Sequence, residues 1–358
     1  MRIVSLLPSA TESLFALGLG ESLVAVTHEC DYPPEAASLP VVTRSTLRLE
    51  TTNSAGIEVA VWAAATAGQS LYAVDTDAIR ALEPDLVVAQ DVCRVCAVSA
   101  DQVVRDLVGM RLIRQHPHSL EDVLADIEEL AMECAVDPGP LVRSLRDRID
   151  KVAQVTSRRP RLRGVFLEWL DPPYPAGHWT PDLLELAGID DPLARAGLPS
   201  VPIRWEDVAE ARPDLLVIAP CGFDKDRAER EAAVIAPLIK SAGISRVVIF
   251  DGSAYFNRPG PRLIDFTRTA CSSGRRILTP VAPALARRSQ NMCDQSLHAF
   301  ARSAALAPAG RERVTKSCGA VDQLWIRLRR ADERSGEPCR VGRAVLGVTA
   351  EVVARHAH

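Results

Sequence analysis

The chain alternates short aliphatic runs with amphipathic stretches, which is the pattern of an α/β protein with parallel strands. Residues 2–7, Arg-Ile-Val-Ser-Leu-Leu, are aliphatic enough for a strand buried on both faces. Ser9 and Glu12 then have the S-x-x-E spacing of a capping box, and Gly18 or Gly20 is placed to end the helix that follows. Further strands are predicted at 23–26, 85–89 and 111–113. Ser119 is positioned to cap a helix over "LEDVLADIEELAMEC", which "DPGP" breaks. A second helix restarts with Asp137 as cap and Pro138 in its first turn, and carries Leu141, Leu145, Ile149 and Val152 on one face. That helix can run roughly 18 residues, or about 27 Å, before Arg-Arg-Pro stops it. Strands resume in "VFLEW" (165–169), "DLLVIAP" (214–220) and "RVVIFDG" (246–252), and "PGPRLIDFTRTA" reads as a proline-initiated helix.

One segment recurs. "DAIRALEPDLVVAQ" (77–90) returns as "EDVAEARPDLLVIAP" (206–220), with an acidic residue seven positions before the proline in each copy. A repeat in each half predicts two similar lobes. The expected architecture is therefore α/β: two Rossmann-like lobes with parallel-rich sheets, bridged by a single long helix, with an irregular C-terminal tail. The expected divisions are residues 1–117, an N-terminal lobe; 118–160, a helical segment containing the interlobe helix; 161–270, a C-terminal lobe; and 271–358, a basic tail without clean periodicity.

Composition changes the picture mainly at that tail. Net charge over all 358 residues is −4, but residues 271–358 carry 15 Lys+Arg against 7 Asp+Glu. The tail reads as poorly packed or disordered chain, as frame-shifted coding sequence, or as a basic arm for an anionic partner. The overall balance does not point to nucleic acid. Apolar runs stay short of the ~20 residues that span a bilayer. Met1-Arg2 leads straight into the first strand without the zones of a signal peptide. As written the product is expected in the cytoplasm, or in the periplasm or at the cell surface if a leader belongs upstream of this start. Nine cysteines, four of them in the tail, suit reduced thiols better than a disulfide framework.

The P-loop, dinucleotide, H-E-x-x-H and G-x-S-x-G signatures are all missing, so a hydrolase or nucleotide enzyme would need an unfamiliar site, and a binder without catalysis is the expectation. The candidate chemistry lies in four loop stretches: "HECDYPPE", "QDVCRVCAVS", "DPPYPAGHWTPDLLELAG" and "DGSAYFNRPGPR". They hold three of the four tyrosines, Tyr32, Tyr174 and Tyr255, together with Trp179, in a chain that is only 4% aromatic. Such rings offer flat surfaces to a large planar ligand, or pack over a proline of their own turn, and Arg258 can pair with a ligand amide, carboxylate or phosphate. His178 or His28 could supply a neutral imidazole to a cobalt ion, or be satisfied by backbone. Cys93 and Cys96 form a C-x-x-C open to structural, redox or metal roles. The nearest histidines, His116 and His118, have H-x-H spacing unlike that of a zinc finger.

The motifs "RIVSLLPSATE", "THECDYPPEA", "PDLVVAQDVCRVCAVS", "DPPYPAGHW", "RWEDVAEARPDLLVIAPCGF" and "AYFNRPGPRL" are similar, over about residues 1–268, to the cobalamin-binding subfamily of periplasmic-type substrate-binding proteins of ABC importers. The resemblance implies two α/β lobes joined by one long helix, a corrinoid held in the cleft as ligand, no resident cofactor, and permease subunits as partners of a monomeric binder. It implies Tyr32, Tyr174 and Arg258 as ligand-facing residues, to which the loop reading adds Tyr255, His178, Trp179 and Gln90 as candidates. Gln90 stands where a cleft tryptophan is found, and Ala254 where an acid is found. It also implies that Asp77 and Glu206 are the acidic residues, one per lobe, that dock onto arginines of the importer. The alternatives are a ferric-siderophore or haem binder of the same fold, and a cytoplasmic corrinoid-handling enzyme.

Overall fold

The first aliphatic run forms β1 (Ile3–Ser5), with all three side chains buried. A computed structural model of the chain describes residues 1–47, 52–92, 98, 103, 107 and 109–265. These fall in the first of the chain's two units, Met1–Gln290. Cys93, Cys96 and the tail from 271 lie outside the described residues. After β1 come β2 (Leu23–Ala25), an antiparallel pair β3 (Thr43–Ser45) and β4 (Tyr72–Val74), then β5 (Leu86–Gln90) and β6 (Leu112–Gln115). β2, β1, β5 and β6 make a parallel sheet in that order.

The second half repeats the arrangement. β7 (Leu162–Leu170) is followed by β8 (Pro173–Pro175), β9 (Gly177–His178), β10 (Ile189–Asp190), β11 (Arg195–Ala196), β12 (Leu215–Ile218) and β13 (Val247–Ile249). Its sheet runs β10-β7-β12-β13, all parallel, with β8 added antiparallel to β7. Both sheets thus place their first strand inside, the second to one side, and the next two to the other.

The repetition extends to single atoms. Arg2, just before β1, donates from Nε to the Leu82 carbonyl at 2.7 Å, and Arg163, in β7, donates from Nε to the Ala211 carbonyl at 2.6 Å. Each arginine covers the carbonyl end of the short helix preceding its neighbouring strand: α3 (Thr76–Ala81) in one lobe, Trp205–Glu210 in the other. Asp85 and Asp214 donate backbone N–H to the Arg2 and Arg163 carbonyls, both at 2.8 Å. Glu83 and Arg212, each preceding the repeated proline, share a positive φ of 44° and 46°.

Helix α1 (Pro8–Ala16) starts at Pro8, and Gly18 with φ of 78° closes its end. The expected Ser9–Glu12 capping box does not form, because Leu7 occupies the cap position and Glu12 is drawn to two arginines described below. The α2 helix (Ser54–Thr66), unforeseen in the pattern, sits between β3 and β4 with Asn53 as its cap. Ser119 does form a capping box, with Asp122, at the start of α4 (Leu120–Glu133). The 18-residue helix follows as α5 (Gly139–Thr156). Pro138 rather than Asp137 takes its cap position, and Asp137 Oδ1 instead receives the Gly139 N–H at 2.8 Å. Of the expected last helix, Pro261–Ile264 is a short 3-10 turn, and residues from 266 lie outside the described set.

Alternate residues of β7 serve two cores. Phe166 packs with the α4 residues Leu120, Val123, Leu124 and Ile127, whereas Val165 and Leu167 face Phe223, Ile235 and Ile57 of α2. Further along α4, Leu130 and Cys134 pack with Ile3, Leu86, Val88 and Ile113 of the first sheet. The α4 helix therefore has one half in each lobe's core, while α5 lays Val142 and Leu145 on the second lobe. The α4 helix makes the connection between the cores, with α5 packed beside it on the second lobe.

Gly252 is a close-approach position, since a Cβ there would stand 2.1 Å from the Pro220 carbonyl oxygen and 2.9 Å from that of Ala219. Gly252→Ala must push the loop that carries Tyr255 and Arg258 away from the end of β12. A loss of ~1–3 kcal/mol is expected, read as a lower urea midpoint at unchanged slope. An unchanged midpoint would mean that this loop relaxes freely.

Candidate functional site

The loops at the carboxyl ends of both sheets face one another, and charged side chains bridge them. Glu12 lies on α1 of the first lobe with its side chain 2% exposed. From the second lobe, Arg262 donates Nε to Glu12 Oε2 at 2.8 Å and Nη2 to Oε1 at 2.5 Å. Arg258 donates Nη1 to Glu12 Oε1 at 3.5 Å and to Asp31, and Nη2 to the Glu29 carbonyl at 2.9 Å. Its Nη2 also reaches Asp31 Oδ2 at 3.3 Å. The Arg262 guanidinium lies 4.0 Å over the Tyr32 ring. Tyr32 and Arg258, separated by more than 200 residues, are thus brought together. Arg258, expected to face a ligand, spends its donors on the first lobe because three acidic residues surround it. Burial opposes its charge, and Asp31, Glu12 and Glu29 outweigh that and raise its pKa. Burial pushes the Glu12 carboxyl above its usual range while the two guanidiniums pull it back.

A second bridge is made by α2. Its first residue, Ser54, donates N–H at 3.0 Å and Oγ–H at 2.6 Å to Glu231 Oε2, and Arg227 Nη2 reaches the Thr52 carbonyl at 3.1 Å. The Tyr174 hydroxyl donates to Glu58 Oε1 at 2.7 Å, and burial together with this carboxylate raises its pKa. Ile57 enters the second lobe's core. Tyr174 is therefore half-buried under a helix supplied by the other lobe. A recess beside these loops, lined by Leu6, Pro8, Thr27, His28 and Tyr72 among others, is too tight to admit a water molecule. Ligand sites usually measure ~300–1,000 Å³. Admitting a large ligand means parting some of these bridges.

Other expected ligand residues fall elsewhere. Trp179 is 7% exposed in the second lobe's core, and its Nε1 donates to the Phe256 carbonyl at 2.8 Å. It is a packing residue rather than a ligand face, since α4 and the 251–258 loop close over it. Gln90 is 6% exposed at the end of β5, and its Oε1 accepts the Val92 N–H at 2.6 Å, so it holds its own turn. Tyr255 is half-buried against the same core as Trp179. His178 is half-buried with φ of 49°, stacked on Trp179 at 5.6 Å between centroids and tilted to His118 at 5.7 Å. Burial, then the neighbouring His118 and His116, lower its pKa. His28 is exposed, and its Nδ1 lies 2.8 Å from Thr43 Oγ1.

Asp77 and Glu206 occupy the same place in matching elements: each is the second residue of a six-residue helix, and each is exposed. The Asp77 side chain is 96% exposed, touching Arg80 at 3.5 Å.

Comparison with known proteins agrees with this geometry. No protein-family model matches the chain. It is 24% identical over 280 residues to a vitamin B12-binding protein of Vibrio parahaemolyticus, covering 75% of this chain and 88% of the relative. A vitamin B12-binding protein of Yersinia pestis is 25% identical over 293 residues, covering 78% and 89%. Among solved structures, the periplasmic vitamin B12 binding protein BtuF of Vibrio cholerae matches with a TM-score of 0.52 at 21% identity, over 76% of this chain and 95% of that one. A periplasmic heme binding protein from Pseudomonas aeruginosa gives 0.59 at 18% identity, over 78% and 94%. The chain has the fold of the periplasmic substrate-binding proteins. The curated relatives are named for the same vitamin that the motif resemblance implies as ligand.

The Glu12 clamp yields a direct test of how the lobes are held. Glu12→Ala leaves Arg262 without its carboxylate while Arg258 keeps Asp31 and the Glu29 carbonyl, so a loss of about 3 kcal/mol, the low end for a broken buried pair, is expected. Asp31→Ala, whose carboxylate is 67% exposed, should lose under about 1 kcal/mol. Urea unfolding of both variants measures the difference, and equal small losses would show that the clamp does not hold the lobes.

Proposed function

We propose that this chain is a substrate-binding protein that captures cobalamin or a related corrinoid between its lobes and delivers it to an ABC importer, acting as a monomer and without catalysis. The observation that carries this reading is the doubled lobe surface. Asp77 and Glu206 stand at the same step of the same helix-into-strand unit, one on each lobe, exposed and on short rigid helices. Two matched carboxylates suit two matched basic sites on a permease built from paired subunits. The corrinoid follows from the curated relatives, named vitamin B12-binding proteins, which this chain matches over nearly nine-tenths of their length. Tyr32, Tyr174, Tyr255 and Arg258 border the region where it would sit.

A haem or ferric-siderophore ligand is the second reading, favoured by solved neighbours titled as heme binding proteins. The periplasmic titles of the solved neighbours favour capture outside the cytoplasmic membrane, and the cytoplasmic expectation finds no support among them.

Titration of the purified full chain with cyanocobalamin and, separately, with haemin should give saturable spectral change and thermal stabilisation with cyanocobalamin. A ligand at 100 times its Kd adds about 2.7 kcal/mol of stability. Stabilisation by haemin alone would move the assignment to the second reading, and by neither would remove both. Charge reversal at the docking positions, Glu206→Arg or Asp77→Arg, should lower cobalamin uptake through the cognate importer severalfold and leave cobalamin affinity unchanged. Unchanged uptake in the double variant would dismiss these residues as docking contacts.

A further inference from the structure

Three histidines from two strand-end loops gather where the chain leaves β6 for α4. His116 and His118 follow Gln115, the last residue of β6, and His178 ends β9. His118 Nε2 lies 2.8 Å from His116 Nε2, with ring centroids 4.4 Å apart. The His178 ring centroid is 5.7 Å from that of His118. Buried polar atoms without a hydrogen-bond partner are few among the described residues, and three of the six fall here: His118 Nδ1, His178 Nδ1 and Asp126 Oδ2. An imidazole pair joined by N–H···N uses one nitrogen of each ring, so this packing leaves the remaining ring polarity unanswered.

The surroundings favour a cation. Asp126 on α4 accepts the His116 backbone N–H and lies in the field of Asp122 and Glu129, and Asp182 lies in that of Asp122. The loop bearing His118 is pinned by its own N–H to Asp122 Oδ2 at 2.9 Å. His178 is pinned by its N–H to the Leu198 carbonyl, also at 2.9 Å, in a left-handed conformation that a residue other than glycine adopts at some cost.

We propose that His116, His118 and His178 together bind one borderline transition-metal ion, Zn²⁺ or a close analogue, beside the loop that carries Tyr174. Zinc–nitrogen bonds of about 2.05 Å at a tetrahedral angle set two imidazole nitrogens about 3.3 Å apart. The His116–His118 pair therefore has to part by only about half an ångström, and its shared proton moves to the ring's other nitrogen. No three ligating side chains among the described residues converge on one point as they stand, so the third ligand arrives by rotation of the His178 ring. Asp126 supplies a carboxylate in the same neighbourhood for a ring N–H that metal binding leaves free.

The test uses the untagged full chain after chelator treatment, titrated with Zn²⁺ by calorimetry and with Co²⁺ by visible absorption. One ion per chain and the intense visible bands of a tetrahedral Co²⁺ site are expected. His118→Ala and His178→Asn should each weaken Zn²⁺ binding by more than about tenfold, asparagine being chosen because it tolerates the left-handed backbone. Cys93→Ser with Cys96→Ser should leave binding unchanged, and far-ultraviolet dichroism confirms that each variant folds. Absence of saturable Zn²⁺ binding, or binding unaltered when all three histidines are replaced, would overturn the proposal. Cyanocobalamin titration of the same variants is read separately, so failure of the corrinoid assignment leaves this result standing.

Discussion

A carboxylate withdrawn from water between two guanidiniums fixes how the lobes meet. Glu12 sits on the first helix of the first lobe, and its partners Arg258 and Arg262 lie beyond the last strand of the second. Such a group is stable only while both partners stay, because a lone buried charge is far more expensive than the pair is favourable. The position of the 251–262 loop, the stacking of Arg262 on Tyr32 and the anchoring of Arg258 on Asp31 all follow from that requirement. The α4 helix adds an apolar version of the same constraint, since sliding it would uncover Leu124 and Ile127 on one side or Leu130 on the other.

Within each lobe the design is simpler and was written twice. An arginine at the entry to the central strand caps the helix that leads to its neighbour, and a proline after a left-handed residue turns that helix into the strand. Because the geometry of this unit is set by local bonds, the acidic residue at its second helical position is presented alike by both lobes. A carboxylate in the first turn of a helix is favoured by the helix dipole, and the repeated unit places one alike on each lobe.

The repeated Pro-Asp-Leu segments, the Ser119 cap and the long second helix were legible in the sequence because each rests on contacts within one turn or one strand. Glu12 was misread for the same reason: its spacing from Ser9 satisfies a local rule, and only the fold brings Arg262, 250 residues away, into reach. Trp179 sits beside proline and glycine, which marks a loop in sequence, yet that loop is roofed by α4 and becomes core. The α2 helix was missed because its alanine-rich stretch has no clear apolar stripe, one face meeting the other lobe and the opposite face, with Val59 and Trp62, left exposed. The nearness of His178 to His118 was equally invisible, being a product of how the two sheets are set against each other.

The bridges also bear on which ligands can enter. Arg258 holds Asp31 and Glu12 through charge-assisted bonds, roughly twice as strong as neutral ones. Under the proposed function, the amide groups of a corrinoid are neutral and compete poorly for that guanidinium, so the clamp persists and the ligand settles on the rings around it. The propionates of a haem carry charge and could take Arg258 from Asp31, at the expense of the interlobe contact. Tyr174 differs, since its single bond to Glu58 joins a phenol to a half-buried carboxylate and is the easiest bridge to exchange. The α2 helix itself stays anchored on the second lobe through Ser54 on Glu231 and Ile57 in that lobe's core, so exchange at the Tyr174 hydroxyl leaves the spacing of the lobes unchanged.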